Sequence, residues 1–113
     1  MLIKKEQRVK KQIASDGFVY EYQDDNKNLG LAVSELNGRV PDEGTMKNKV
    51  CSEAYYVISG SAKVFINNEV FEISEGDILH IEPNQEFYVE ALNLKLVIPT
   101  APAFYPEQWE NIK

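Results

Sequence analysis

A small all-β barrel is the fold this sequence predicts, and three observations predict it. Short runs rich in β-branched and aromatic residues recur from Phe18 onward. Turn-forming residues separate them at regular intervals, and helical periodicity is confined to weak signals at the two ends. A chain of 113 residues is one domain by size. We divide it into an N-terminal segment 1–14, a barrel 18–98 and a tail 99–113.

Taken in order, residues 2–14 predict a short helix with a thin apolar stripe of Ile3, Val9 and Ile13. The strand runs are Phe18–Gln23, Leu29–Leu36, Ser52–Ile58, Lys63–Ile66, Val70–Ile73, Ile78–Ile81, Phe87–Leu92 and Leu94–Ile98. Asn67-Asn68 supplies a hairpin turn, because asparagine tolerates positive φ. Ile78-Leu79-His80-Ile81 is apolar at three of four positions, which predicts a strand covered on both faces. Eight short strands at this spacing point to a closed barrel or double-sheet jelly roll. Beyond Pro99, the segment Pro106–Ile112 predicts a short C-terminal helix opened by proline, with Trp109 docked on the barrel.

Composition excludes several classes of function. Hydrophobic residues make up 43% of the chain and charged residues 27%, which excludes a disordered chain. The net charge is −6, but Lys4, Lys5, Arg8, Lys10 and Lys11 against Glu6 give the first twelve residues +4, leaving −10 for the rest. An acidic body repels phosphate backbones, so no nucleic-acid partner is expected. No apolar run approaches the ~20 residues of a membrane span, and no signal-peptide core is visible, so we expect a cytoplasmic protein with no membrane partner. Cys51 stands alone, which excludes an intrachain disulfide and a cysteine zinc cluster.

The stretch Glu53-Ala-Tyr-Tyr-Val-Ile-Ser-Gly60, followed by Gly76-Asp77-Ile-Leu-His-Ile-Glu-Pro83, resembles the cupin superfamily. Glu53 and Gly60 match the last two landmarks of the first cupin motif, and Gly76 matches the opening of the second. Pro83-Asn84 falls in that motif's turn. The resemblance covers about residues 44–92 and implies a jelly-roll β-barrel with an interior pocket, here flanked by the two short helical segments. It does not carry over the metal site. The two histidine positions of the first motif fall on Lys47 and Lys49 or, with one more residue of spacing, on Met46 and Asn48; the third histidine falls on Phe87. Of the family's four ligands only Glu53 remains. A transition-metal site needs three or more converging donors, so we expect no metal and no cofactor.

The candidate pocket residues are Lys47, Lys49, Cys51, Glu53, Tyr55, His80 and Phe87. On a regular strand the odd-numbered residues from Lys47 to Tyr55 would share one face. A lysine ammonium would then replace the missing metal's charge beside Glu53. The alternative places both lysines in water and Glu53 against a hydroxyl or backbone group. His80, the one histidine, is either a pocket base or an exposed residue; Cys51 is either activated by Lys49 or an inert buried thiol. Cys51, Glu53 and His80 are also the members of a conceivable makeshift metal site.

Three functions follow. The first is a metal-independent cupin binding a small polar ligand, a sugar or organic acid. The second is a metal-independent enzyme of the sugar isomerase or epimerase type, with His80, Glu53 or Tyr55 moving a proton; the cupin resemblance implies it, since deoxysugar epimerases and ketoisomerases of that superfamily use a pocket histidine and tyrosine. The third is a structural protein with a filled barrel. Apolar side chains on both faces of Phe18–Tyr22 predict a homodimer in each case.

Overall fold

The computed structural model describes all residues 1–113. Nine strands form one sheet, antiparallel at every pairing and curled on itself: β1 (Val9–Ala14), β2 (Gly17–Tyr22), β3 (Gly30–Val40), β4 (Thr45–Asn48), β5 (Ser52–Ile66), β6 (Glu69–Ser74), β7 (Ile78–Ile81), β8 (Phe87–Ala101) and β9 (Trp109–Ile112). The strands run β1-β2-β3-β8, and β5 continues the sheet from β8 and pairs on its other side with β6 and β7. No helix is long and apolar enough to cross a membrane.

β5 and β8 are fifteen residues each, longer than the runs expected from sequence. Ser59-Gly60 and Asn93 do not end strands; they bend them. Gly60 sits at φ +80° and Asn93 at φ +47°. A Cβ on Gly60 would collide with the Asn93 carbonyl, so only glycine allows this corner. Asn37-Gly38 likewise proves to be a bulge inside β3, with the Asn37 Oδ1 accepting the Asn93 N–H at 3.0 Å. Three neighbouring strands therefore bend at one level, and the sheet curls there. The β5–β6 hairpin turns at Asn67, whose φ of +55° matches the expected asparagine turn.

Both predicted terminal helices are corrected. Residues 5–7 form a single 3-10 turn, and β1 follows, its residues Lys11 and Ile13 turned inward. Inward Lys11 is paired with Glu21, so a charged side chain stands where the alternation of a strand would show an apolar one. At the other end Pro106–Gln108 is a 3-10 turn, and Trp109–Ile112 pairs with the open edge of β4. Trp109 packs against the core. The expectation for Ile78–Ile81 is corrected too: β7 has one neighbour, β5, and leaves Ile78 and His80 exposed on the outside.

Val40, Val57, Val64, Ile81, Val89, Leu94 and Leu96 are fully buried or nearly so, and they close one part of the barrel. The remainder, between the inner faces of β2, β3, β5 and β8, stays open.

Candidate functional site

That open part is a cavity of about 730 Å³. Its inner wall carries Glu53 and Tyr55 from β5, Asn48 and Met46 from β4, and Phe87 and Thr100 from β8. The opposite wall carries Lys11 from β1 and Glu21 from β2. Loop 23–29 and tail residues 103–106 flank the mouth, tied together by the Ala103 N–H donating to the Lys27 carbonyl at 3.1 Å.

Glu53 is half-buried and faces the cavity, and the surrounding protein removes bulk water from its carboxyl. It has no ion pair. Burial pushes its pKa up to about 7, with the amide of Asn48 opposing the shift. Asn48 Nδ2 lies close enough to favour the carboxylate, yet it completes no hydrogen bond. Its Oδ1 is held by Gln108 Nε2 at 2.8 Å. Thr100, opposite Glu53 across the β5–β8 register, has a buried hydroxyl without a partner as well. Buried polar atoms are almost always bonded, so two orphans flanking one raised carboxyl mark a polar station. Tyr55 stands two residues along β5 on the same face, edge-on to Phe87 with ring centroids 6.2 Å apart. Burial, then the charge of Glu53, pushes its phenol up and keeps it protonated.

A second polar station faces the first. Glu21 is buried, and its Oε1 accepts from Lys11 Nζ at 2.7 Å and from Gln23 Nε2 at 3.1 Å. Both bonds fall on one oxygen, leaving Oε2 for a ligand.

Of the residues singled out from sequence, the structure brings together Glu53, Tyr55 and Phe87. It does not bring Lys47, Lys49, Cys51 or His80 to the cavity. The inward residues of β4 are Met46 and Asn48, with Lys47 between them turned out. The chain leaves the strand at Lys49 and re-enters at Ser52, which breaks the parity that would have aligned Lys49 with Glu53. Lys49 is exposed, so no ammonium neutralises Glu53; the carboxyl takes up a proton instead. Cys51 is buried behind the wall, its thiol donating to the Pro102 carbonyl at 3.3 Å and its pKa raised by burial and then by Glu53. That is an inert thiol. His80 projects outward, 3.4 Å from Glu82.

Thr100, Glu21 and Lys11 were missed; Asn48 entered only with Met46, as the alternative histidine positions of the first motif, and that spacing is the one the inward faces of β4 match. Glu21 had a signal: Val19, Glu21 and Gln23 alternate with Phe18, Tyr20 and Tyr22, which puts a carboxylate on the face opposite the aromatics.

The cupin domain family matches residues 38–95, just over half of the chain. The chain belongs to the cupin family. Protein MJ1618 of Methanocaldococcus jannaschii, described as uncharacterized, is 28% identical over 70 residues, 59% of this chain and 56% of that protein. The chain thus spans just over half the length of this relative. Among solved structures, Pac13, a nucleoside dehydratase, covers 100% of this cupin with 91% of its own chain at a TM-score of 0.87 and 17% identity. A single-residue variant of the Streptomyces protein has been captured with uridine, at the same TM-score and identity. KdgF of a Halomonas species covers 92% of this chain with 96% of its own, at a TM-score of 0.74 and 13% identity. Oxalate decarboxylase of Bacillus subtilis covers 95% of this chain with 30% of its own, at 0.80 and 18%. At these identities the likeness is one of fold.

Cupin barrels commonly hold a transition metal, and the residues here do not fit one. Met46, Asn48, Glu53 and Phe87 occupy the positions where the family's ligands would stand. They offer one carboxylate, one thioether, an amide whose oxygen is already engaged, and a phenyl ring. No three His, Cys, Asp or Glu side chains converge anywhere in the molecule, so the makeshift set of Cys51, Glu53 and His80 is not assembled.

Proposed function

We propose that this cupin binds a small, hydroxyl-bearing ring compound of the sugar or nucleoside type, without a metal, and that Glu53 exchanges a proton with it. The observation that carries this reading is a carboxyl with a pKa near 7 inside an aromatic-walled cavity of about 730 Å³. Such a group gives or takes a proton at neutral pH. Tyr55 supplies a neutral donor beside it. Asn48 Nδ2 and Thr100 Oγ1 offer hydrogen bonds at the same station, and Glu21 Oε2 accepts from hydroxyls across the cavity. Two carboxyl groups facing the ligand favour a neutral molecule over an organic acid. The uridine held by a variant of Pac13, a barrel of the same fold, supports a ligand of this kind.

The open cavity speaks against a filled structural barrel. The epimerase reading loses its imidazole with His80 outside, but it keeps Glu53 and Tyr55 and so becomes the catalytic form of the same proposal.

The test is thermal stabilisation by uridine and a panel of monosaccharides, from pH 5.5 to 8.5, in wild type and Glu53→Gln. Stabilisation that changes through pH 7 in wild type and is flat in Glu53→Gln supports the proposal. A panel without any stabilising compound, or identical pH profiles in the two proteins, overturns it.

A further inference from the structure

The two polar stations of the cavity stand at different depths. Cross-strand register places Glu53 of β5 level with Thr100 of β8 and Gly30 of β3, beside the mouth. Glu21 of β2 is level with Ala32 and Ile98, two residues farther in along the same strands. At roughly 3.4 Å per residue that step is about 7 Å. Ser34, Leu96 and Val57, all fully buried, close the floor one level below. A ligand that meets both stations is therefore longer than one sugar ring, and a cavity of about 730 Å³ has room for a second ring.

The stations also differ in chemistry. Around Glu53 the wall offers Asn48 Nδ2, Thr100 Oγ1 and the Tyr55 phenol, which suits a ring bearing several hydroxyls. Around Glu21 the wall is apolar, made by Ile13, Val19, Ala32 and Ile98. Two groups at this depth keep bonding capacity. Glu21, 7% exposed, holds Lys11 Nζ and Gln23 Nε2 on Oε1 and leaves Oε2 without a partner. An ionised carboxylate only accepts, whereas the Lys11 ammonium has two further N–H groups to donate. A sugar hydroxyl would satisfy Oε2, but the next hydroxyls on its ring would face Ala32 and Ile98 unpaired. An N–H beside a carbonyl on a flat ring uses both groups at once and lays apolar faces against the wall.

We propose that Glu21 and Lys11 read the imide edge of a uracil-type base at the inner end of the cavity, with the sugar of the same nucleoside at Glu53. The ring N–H donates to Glu21 Oε2, and an adjacent carbonyl accepts from Lys11 Nζ. The imide N–H lies between two carbonyls, so Lys11 finds an acceptor on either side. Gly30 and Ala32, the small inner residues of β3, leave the space in which such a molecule lies. This rests on the cavity holding a ligand of the sugar or nucleoside type, as proposed above, and narrows that class to nucleosides.

Calorimetric titration of the wild-type protein with uridine, 3-methyluridine and methyl β-ribofuranoside tests it. Uridine should bind. Methylation at N3 removes the donor and sets a methyl group against a buried carboxylate oxygen, so binding should weaken by about 100-fold or more. The riboside, which lacks the base, should bind far more weakly than uridine. In Glu53→Gln the preference for uridine over 3-methyluridine should persist, because the base is read at the other station. In Glu21→Met, shown to be folded by circular dichroism, that preference should vanish. Equal affinity of the wild type for uridine and 3-methyluridine overturns the proposal, as does a riboside that binds as tightly as uridine or a folded Glu21→Met that keeps the preference. Each of these results leaves proton exchange at Glu53 standing. Failure of uridine to bind overturns it as well, and stabilisation by monosaccharides in that case would preserve the Glu53 reading alone.

Discussion

Glu53 shows how one uncompensated charge shapes a site. In the unfolded chain its carboxyl ionises near its ordinary value of 4.5; in the barrel it ionises near 7. Below pH 4.5 both states hold the proton, and the folded protein suffers no penalty from this group. Between those values the unfolded chain gives up its proton while the folded one retains it, so stability falls as pH rises. Above 7 the loss is complete, on the order of 3 kcal/mol. Glu53→Gln removes the titration. The variant should match wild type near pH 4 and exceed its stability at pH 8 by up to about 3 kcal/mol, read from urea unfolding across pH. Parallel profiles would mean that the carboxylate is well solvated in the fold. Glu53, Tyr55 and Phe87 were legible because strand parity and motif spacing survive within single strands. Lys47 and Lys49 were misplaced because a three-residue break between β4 and β5 resets that parity, and sequence spacing does not reveal whether such a break is odd or even.

At the level of elements, the tail decides whether β4 is held in place. β4 meets β8 at one residue pair, Met46 and Phe87, and depends otherwise on β9. Gln108, 1% exposed, clamps this corner: its Oε1 accepts from the Cys51 N–H at 3.0 Å and the Val50 N–H at 3.3 Å, while its Nε2 holds Asn48. Gln108→Ala leaves the buried Cys51 N–H unpaired and frees Asn48 beside Glu53. A loss of about 2–4 kcal/mol in urea unfolding is expected, together with a change in the pH midpoint of Glu53 followed by carboxyl-labelled NMR. A loss under 0.5 kcal/mol would show that the clamp is dispensable. The main strands were legible from their alternation, whereas β4 and β9 were not. Four-residue edge strands such as Thr45–Asn48 and Trp109–Ile112 carry too few alternations to stand out, and Pro106 points to a helix that ends after one turn. β1 was hidden for another reason, because its inward Lys11 is neutralised by a residue ten positions away.

For the molecule as a whole, the family's barrel has been kept while its ligand set has changed. The positions that would face a metal are filled by Met46, Asn48 and Phe87, which enlarge the apolar wall and hold an amide against Glu53. A divalent ion bound there would rest on one carboxylate, whose proton it would have to displace at neutral pH. Three soft or neutral neighbours would not compensate. Elemental analysis of tag-free protein should therefore find iron, manganese, nickel and zinc all well below one equivalent. Added zinc or manganese should leave the thermal midpoint unchanged, since an ion that binds the folded state even moderately would raise it by mass action. Near-stoichiometric metal that disappears in Glu53→Gln would reverse this argument: Glu53 would then be ionised by the ion rather than neutralised by its proton, and its proposed proton exchange with a ligand would have no basis.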